Sequence, residues 1–414
     1  MGCSTSLLRR NKKMAAVPEV IFVPALQVPS ASELQRALRG LVPASLIERL
    51  AAVRDRITLV AACTGGSATT ELKHAVEEYL PLLLGLTKKE FGLDELVEFE
   101  WKYLDDKPKE TCISSSWFEL LSVIYMLGLL TLSEANSLLI PNEHSASEDG
   151  AVSGDSTRNA VDLLLKASGY LAFCARSILA NLSSEIKKKL PRDMQEGILE
   201  ALCIQALGQA TELQLGLAIG SQKATLSVKR RLACEQLTYF SQAHHQLTAS
   251  EIDEDSAIKK HSLFIRWKYL EAKAAAYYFH GMVLDKAKDP SSHVSAMCCF
   301  LAAEQLISQS KKACLGFCLA APVNRIPPVR GTIRHLYHQL PEMISRKSMV
   351  CGNMLEQDKG SHELPDLPEF ELSLRPDDYE LPATSTEWNR DDWEILGQPL
   401  KNHLEDSEGE GKTS

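Results

Sequence analysis

Residues 222–249 read QKATLSVKRRLACEQLTYFSQAHHQLTA, and this stretch shows the pattern that decides the fold. Its apolar side chains recur at the helical period and predict one core-facing stripe, made of Leu226, Ala233, Leu237, Phe240 and Leu247. Helical patterns of similar length lie around it, at 157–183, 192–219, 254–287 and 289–313. Each is much longer than the mean globular helix of about 11–12 residues. The sequence therefore predicts an all-α fold of long antiparallel helices in a bundle or solenoid-like stack, and no fixed-period repeat is visible.

Outside this helical region the pattern changes in three places. Residues 20–28 alternate and contain Pro24, which predicts a short N-terminal strand or β hairpin. Residues 142–159 are polar and rich in Gly and Ser, so we expect a loop. Residues 350–395 are rich in Pro and acid, which predicts an extended segment that wraps the body through a few apolar side chains. Those side chains are Phe370, Leu374, Trp388 and Trp393.

Charge and cysteine usage exclude several classes of function. The chain carries a net charge of −9, of which residues 363–414 hold −11 through 15 Asp and Glu against 4 Lys and Arg. The remainder is +2, so it lacks the concentrated basic face of a nucleic-acid-binding protein. The eleven cysteines lie in helical patterns without metal-ligand spacing, and we interpret them as small buried hydrophobes. No metal site or cofactor is predicted. The apolar stretch 120–132 is too short to cross a bilayer and predicts a buried helix.

The first residues, MGCSTS, match a lipidation motif. Removal of Met1 exposes Gly2 for myristoylation, Ser6 supplies the hydroxyl residue of the motif, and Cys3 is placed for palmitoylation. One myristoyl chain binds a membrane only marginally, so stable anchoring requires a second signal. A basic cluster follows directly, formed by Arg9, Arg10, Lys12 and Lys13. We therefore expect residues 1–16 to be a lipidated tail that attaches the protein to the cytosolic face of a membrane.

The helix at 222–249 carries a second apolar stripe opposite its core face. Val228, Leu232 and Tyr239 share that side, and Lys229 and Arg231 border it. A helix that is apolar on two faces is either sandwiched between layers or presents one face to a partner. In general the sandwich is the commoner arrangement. The second stripe is narrow, however, and its basic border would suit an acidic amphipathic helix laid in a groove, so the residues alone leave both interpretations open.

Residues 160–313 resemble the Bro-one domain family of Alix-type endosomal adaptors. The likeness is carried by the order and spacing of several stretches: Ala167-Ser168-Gly169, LPRDMQEGILEALCIQALGQATE (190–212), VKRRLACEQLTYF (228–240), WKYLEAKAAAYYFHGMVLDKAK (267–288) and AAEQL (302–306). We extend the resemblance over residues 17–395, with residues 396–414 as an acidic disordered tail.

The resemblance implies an elongated, curved, tetratricopeptide-like stack of helices that binds a partner helix. In that family a hydrophobic patch receives the C-terminal amphipathic helix of an ESCRT-III subunit, the charged multivesicular body protein of the Snf type. The matching positions here are Val228 and Leu232, with Leu215 as the third member. The aromatic residue of the family at that third position aligns with Gln214 or Leu215, depending on where one gap is placed.

No sequence motif indicates an enzyme. The chain contains no phosphate-binding loop, no Gly-x-Ser-x-Gly elbow and no His-Glu-x-x-His helix, so no catalytic residue is predicted. The leading hypothesis is a membrane-anchored adaptor of ESCRT-III at an endosomal or plasma membrane. The alternative is a helical-repeat scaffold that binds another peptide or a signalling partner at a membrane.

Overall fold

The long apolar-periodic runs form helices in the computed structural model, which describes residues 18–64, 68–104, 110–140, 152–249, 256–287, 289–357 and 364–389. The described residues form eleven α-helices: α1 Leu34–Leu38, α2 Ala44–Thr64, α3 Thr69–Leu86, α4 Ser116–Leu138, α5 Gly154–Phe173, α6 Ser184–Lys189, α7 Glu196–Gly220, α8 Leu226–Ala249, α9 Ser256–Leu284, α10 Pro290–Leu319 and α11 Gly331–Gln357. They also form three strands: β1 Gln27–Ser32, β2 Glu98–Tyr103 and β3 Glu110–Ser114. The prediction of an all-α fold is confirmed.

The chain divides into two compact units. Among the described residues, the larger unit contains those up to Pro24, those within Gly128–Ser177 and those within Pro191–Tyr379. The smaller unit contains the described residues within Ala25–Leu127 and Ile178–Leu190 and those from Glu380 to Asn389. In the larger unit α5, α7, α8, α9 and α10 pack each against the next, as the stack of long helices predicted. Helix α10 shows why such helices start where they do. Its cap Asp289 accepts a hydrogen bond from the backbone N–H of Ser292 at 3.3 Å, and Pro290 occupies the first helical position.

The smaller unit contains an antiparallel sheet in the order β1-β2-β3. The predicted N-terminal β hairpin is wrong in detail, because β1 begins only at Gln27 and pairs with β2, which lies some seventy residues further along the chain. The hairpin of this sheet is β2-β3, in which Trp101 stands opposite Thr111. Local alternation reveals a strand, but it does not reveal the partner of that strand.

A buried ion pair holds this sheet to the helices of the smaller unit. Arg54 and Glu119 are fully buried, and Arg54 Nε donates to Glu119 Oε1 at 2.8 Å. Trp101 Nε1 and Tyr79 Oη donate to the same carboxylate at 2.6 and 3.1 Å, while Arg54 also donates to the carbonyl oxygen of Ser30. Burial, together with the adjacent Glu119 carboxylate, raises the pKa of Tyr79 well above its usual value, so the phenol remains a donor. The carboxylate is therefore fully hydrogen-bonded, as a buried charge requires.

Two helical segments, Ser116–Leu138 and Gly154–Asn181, are long and apolar enough in composition to cross a bilayer. Their most apolar windows are 89% and 61% buried inside the protein. The first contains the stretch 120–132, where Leu121, Ile124 and Leu129 are at most 1% exposed. The apolar surface of these helices is thus used to form the protein core.

The extended C-terminal segment begins further along the chain than predicted. Residues 350–357 belong to α11 and are not extended, whereas residues 364–389 form the predicted extended chain apart from one turn at Thr386–Trp388. In the smaller unit Trp388 Nε1 donates to the carbonyl oxygen of Leu82 at 2.8 Å. The predicted loop 142–159 is shorter too, because α5 starts at Gly154. Residues 1–16, 142–151 and 390–414 lie outside the described residues, and Trp393 is among them.

Candidate partner-binding surface

The core face of α8 follows the predicted stripe. Ala233, Phe240 and Leu247 are at most 1% exposed, and Leu226 and Leu237 pack half-buried against the same core. This core also receives side chains of α7, α9, α10 and α11. Helix α8 is therefore packed into the core along one side, so any partner-binding surface on this helix lies on its other side.

Val228 and Leu232 lie one turn apart at the start of α8, and the structure gives them different environments. Val228 is 46% exposed and is one of twelve large apolar side chains that are exposed among the described residues. Leu232 is half-buried and packs against the hydrophobic core that contains Leu336 and Leu340 of α11. Val228 therefore projects into solvent, while Leu232 forms the floor beside it. Together they form what we call the α8 patch.

Leu215 does not belong to this surface. Its side chain is 0% exposed and is part of the hydrophobic core between α7 and α8. The prediction placed it at the patch by a match that depended on one alignment gap. A shift of one residue turns a helical side chain by about 100°, so this gap decides between core and surface. The neighbouring Leu213 and Gln214 are half-buried and retain some exposure.

The basic border of the patch is present, and part of it is already engaged. Arg231 Nε donates to Glu235 Oε1 at 2.7 Å, and Arg231 Nη2 donates to the carbonyl oxygen of Glu371 at 3.4 Å. The Arg230 guanidinium lies over the ring of Phe370, with 5.9 Å between its carbon and the ring centroid. Burial lowers the pKa of the His335 imidazole, and the nearby positive charge of Lys229 lowers that pKa further. The border thus keeps its positive charge while two of its arginines bind the C-terminal segment.

The C-terminal segment covers the remainder of the second stripe. Tyr239 is 2% exposed, and its hydroxyl donates to the carbonyl oxygen of Leu374 at 2.7 Å. Burial raises the pKa of Tyr239 to about 12, which keeps this donor protonated. The backbone N–H and the hydroxyl of Ser373 both donate to Glu235 Oε2, the former at 2.9 Å. Of the three side chains in the predicted stripe, only Val228 and Leu232 remain accessible.

A pocket of about 700 Å³ lies in the larger unit between α7, α9, α10 and α11. Its charged part is a buried cluster in which Lys268 Nζ donates to Glu212 Oε1 at 2.8 Å and to Glu271 Oε2 at 3.1 Å. Trp267 Nε1 donates to the other oxygen of Glu271 at 2.8 Å. Burial lowers the pKa of Lys268, but the two carboxylates outweigh burial and hold that pKa above its usual value. The described part of the chain contains no group of three or more His, Cys, Asp and Glu able to hold a metal ion.

Comparison with known proteins identifies the family. The model of the BRO1-like domain matches residues 44–321, about two thirds of the chain. The chain belongs to the BRO1-like domain family. The matched range begins with α2 and ends just after α10, so it contains the stack of long helices and the α8 patch. A comparison with curated protein sequences gave no significant match.

Solved structures share the BRO1-like fold at low sequence identity. ALIX in complex with the SIVmac239 PYKEVTEDL late domain has a TM-score of 0.63 at 14% identity, over 89% of this chain and 51% of ALIX. The complex of the ALIX BRO1 domain with CHMP4C also has a TM-score of 0.63 at 14% identity, over 88% of this chain and 97% of that one. A Bro1 domain described for endosomal targeting has a TM-score of 0.54 at 15% identity, over 92% and 94% of the two chains. The chain spans about half the length of the ALIX chain in the complex with the late domain.

The residues predicted to bind a membrane lie outside the described part of this BRO1-like chain. These are Gly2, Cys3, Arg9, Arg10, Lys12 and Lys13. The structure does describe the residues that follow. Gln209 Nε2 donates to the carbonyl oxygen of Val20 at 3.0 Å, and the backbone N–H groups of Val20 and Ile21 both donate to Asn136 Oδ1 at 2.9 Å. Sequence reasoning missed these amides, since nothing near them in the chain indicates a partner more than a hundred residues away.

Proposed function

We propose that this BRO1-like protein is a membrane-anchored adaptor whose α8 patch binds the C-terminal amphipathic helix of an ESCRT-III subunit, a charged multivesicular body protein of the Snf type. The observation that carries the proposal is the 46% exposure of Val228 beside the half-buried Leu232, on a helix whose opposite face is fixed in the core. The match to the ALIX BRO1 domain, solved with CHMP4C, supports the same class of partner. The protein acts as a binding scaffold and not as an enzyme.

The chemistry of the patch suits a short amphipathic helix. Such a helix places apolar side chains at i, i+3 and i+4 into a small apolar area and gains a few kcal/mol from their burial. Val228 would receive the first of them, with Leu232 as the floor. Lys229 and Arg231 at the border favour an acidic partner and raise its association rate. Binding that depends on this border should weaken as salt is added.

The membrane part of the proposal depends on the N-terminal tail. Myristate on Gly2 and palmitate on Cys3 supply two acyl chains, and stable anchoring requires at least two signals. The four basic residues at Arg9, Arg10, Lys12 and Lys13 add about 1 kcal/mol each near an anionic surface. We infer a location on the cytosolic face of an endosomal or plasma membrane, where ESCRT-III assembles.

The partner is tested by titrating the full chain with a peptide of the Snf-type ESCRT-III C-terminal helix. We expect saturable binding that weakens with salt and is competed by excess unlabelled peptide. A scrambled peptide of the same composition is the control, because it keeps the charge and loses the apolar stripe. If the scrambled peptide binds equally well, recognition is merely electrostatic and the proposed partner is wrong.

The anchor is tested by fractionation of cells that express the wild type, Gly2→Ala or Cys3→Ser. The wild type should sediment with membranes, Gly2→Ala should be released, and Cys3→Ser should show intermediate, salt-sensitive association. Intact mass measurement of the purified wild type reports the acyl groups directly. An unmodified Gly2 in protein from its native cell would refute the anchor and leave the helix-binding proposal untouched.

A further inference from the structure

Exposed apolar side chains are concentrated at the end of α10 and in the loop that follows. Among the described residues twelve large apolar side chains are strongly exposed, and five of them fall within residues 315–329. These five form what we call the apolar ridge: Leu315 (47%), Leu319 (64%), Val323 (65%), Ile326 (64%) and Val329 (51%). Such a concentration of exposed apolar side chains indicates a surface that contacts a partner protein or a membrane.

Hydrogen bonds from the protein body fix the backbone of the loop that carries part of the ridge. Lys260 Nζ donates to the carbonyl oxygen of Ala320 at 3.4 Å and to that of Pro322. The backbone N–H of Asn324 donates to the carbonyl oxygen of Cys318 at 3.0 Å, and Pro327 is buried. Because the backbone is fastened at these points, the exposed side chains are displayed on a defined loop.

Along the chain, the charge on either side of the ridge has one sign. Residues 305–341 contain no Asp or Glu and five basic residues: Lys311, Lys312, Arg325, Arg330 and Arg334. All of them except the half-buried Arg330 are exposed. In the part of the chain that the structure describes, both Nη atoms of Arg330 are buried and have no hydrogen-bond partner. Acidic side chains of other elements lie nearby: Glu212 and Glu271 of the adjacent pocket both accept from Lys268, and the Glu212 carboxylate also interacts with the Arg330 guanidinium.

The first described residues of the chain lie on the same side as the ridge. Val20 and Ile21 line the same pocket as the ridge residues Leu315, Ile326 and Val329. Hydrogen bonds from Gln209 and to Asn136 fix this point of departure. Gly2 precedes Val20 by 18 residues, which span at most about 60 Å when extended. A tail anchored at this point can reach a surface that the ridge touches.

We propose that the apolar ridge and its basic border rest on an anionic lipid bilayer, with the ridge side chains in the interfacial layer and the basic side chains at the lipid phosphates. Apolar side chains flanked by Lys and Arg are the composition that binds such interfaces. Uniform positive charge over 37 residues fits a surface that is negative throughout, as an anionic membrane is. The inference deepens the membrane part of the proposed function, but it does not require the acyl chains.

The test uses the full chain with Gly2→Ala and Cys3→Ser, so that no acyl chain contributes. Binding is measured by co-sedimentation with vesicles of phosphatidylcholine, with and without phosphatidylserine. We expect binding only when phosphatidylserine is present.

In the same background Ile326→Asp with Val329→Asp should lower the partition coefficient about tenfold or more. Lys312→Glu with Arg325→Glu should lower it about fivefold per removed charge. The matched control is Leu59→Asp on α2, a leucine that is 63% exposed, and it should bind as the parent does.

The outcomes separate this inference from the anchor. If the chain with Gly2→Ala and Cys3→Ser does not bind phosphatidylserine vesicles, or if the ridge variant binds as well as the parent, the ridge is not a membrane surface. If the ridge variant instead loses the ESCRT-III peptide and keeps its vesicle binding, the ridge is a protein-docking surface and the inference is wrong. Thermal unfolding of each variant shows that it is folded, and the acylation of Gly2 is measured on a separate protein.

Discussion

Replacing Val228 by aspartate perturbs the α8 patch at its most exposed point. The side chain is 46% exposed, so roughly half of its apolar surface is still available for burial by a partner. Full burial of a valine is worth about 1.5 kcal/mol or more, which leaves about 1 kcal/mol for the complex. Val228→Ala should therefore weaken the partner helix about fivefold. Val228→Asp should weaken it at least a hundredfold, because a carboxylate would be buried without a partner.

The same substitution should leave the folded protein intact. Val228 occupies the third position of α8, where a negative charge interacts favourably with the helix dipole. We expect the free energy of unfolding to change by less than about 0.5 kcal/mol, as at other exposed sites. Leu232→Asp provides the contrast. Leu232 packs against the core, so its substitution should weaken the partner and also destabilise the fold by about 2 kcal/mol.

The assay combines two measurements on each variant. Isothermal titration with the ESCRT-III C-terminal peptide gives the change in affinity, and urea unfolding gives the change in stability. Val228→Lys is an informative control, since it removes the apolar contact but keeps the positive character of the border. If Val228→Asp binds the peptide as tightly as the wild type, the α8 patch is not the binding site.

Three further predictions concern the framework of the protein. Glu119→Gln leaves the buried Arg54 without its counter-charge and should lower the free energy of unfolding in urea by about 3–5 kcal/mol; a loss under 1 kcal/mol would contradict this account of the ion pair. A Gly→Ala substitution inside a helix usually stabilises the protein, but Gly169→Ala should lower the free energy of unfolding by about 1–3 kcal/mol, because the new methyl group would collide with the carbonyl oxygen of Asp377. Faster hydrogen exchange at the Asp377 amide would show that the C-terminal segment has been displaced. Burial raises the pKa of Glu19 to about 7, so between about pH 4.5 and pH 7 the folded state binds the proton that the unfolded state releases, and stability falls as pH rises through that window. Glu19→Gln should remove this dependence, worth about 1–3 kcal/mol between urea unfolding curves at pH 5 and pH 8, and an unchanged slope would show that Glu19 is not its source.

Helix α8 shows how far sequence reasoning reaches. Its core stripe could be predicted because a helix repeats every 3.6 residues, whatever surrounds it. Its second stripe was visible for the same reason, but periodicity does not tell what covers a face. Tyr239 is covered by Leu374, a residue 135 positions away, whereas Val228 is left open. The apolar ridge was missed because exposure depends on which neighbours pack against a loop.

The helical class, the approximate limits of the long helices and the apolar faces they carry could be read from the amino-acid sequence, because these follow from local periodicity and capping. The pairing of β1 with β2, the burial of Leu215 and the covering of Tyr239 became visible only in the folded structure. It also placed Val20 beside Ile326 in one pocket. Each of these depends on contacts between residues far apart in the chain. Such contacts arise from the packing of whole elements, and no local pattern encodes which elements will meet.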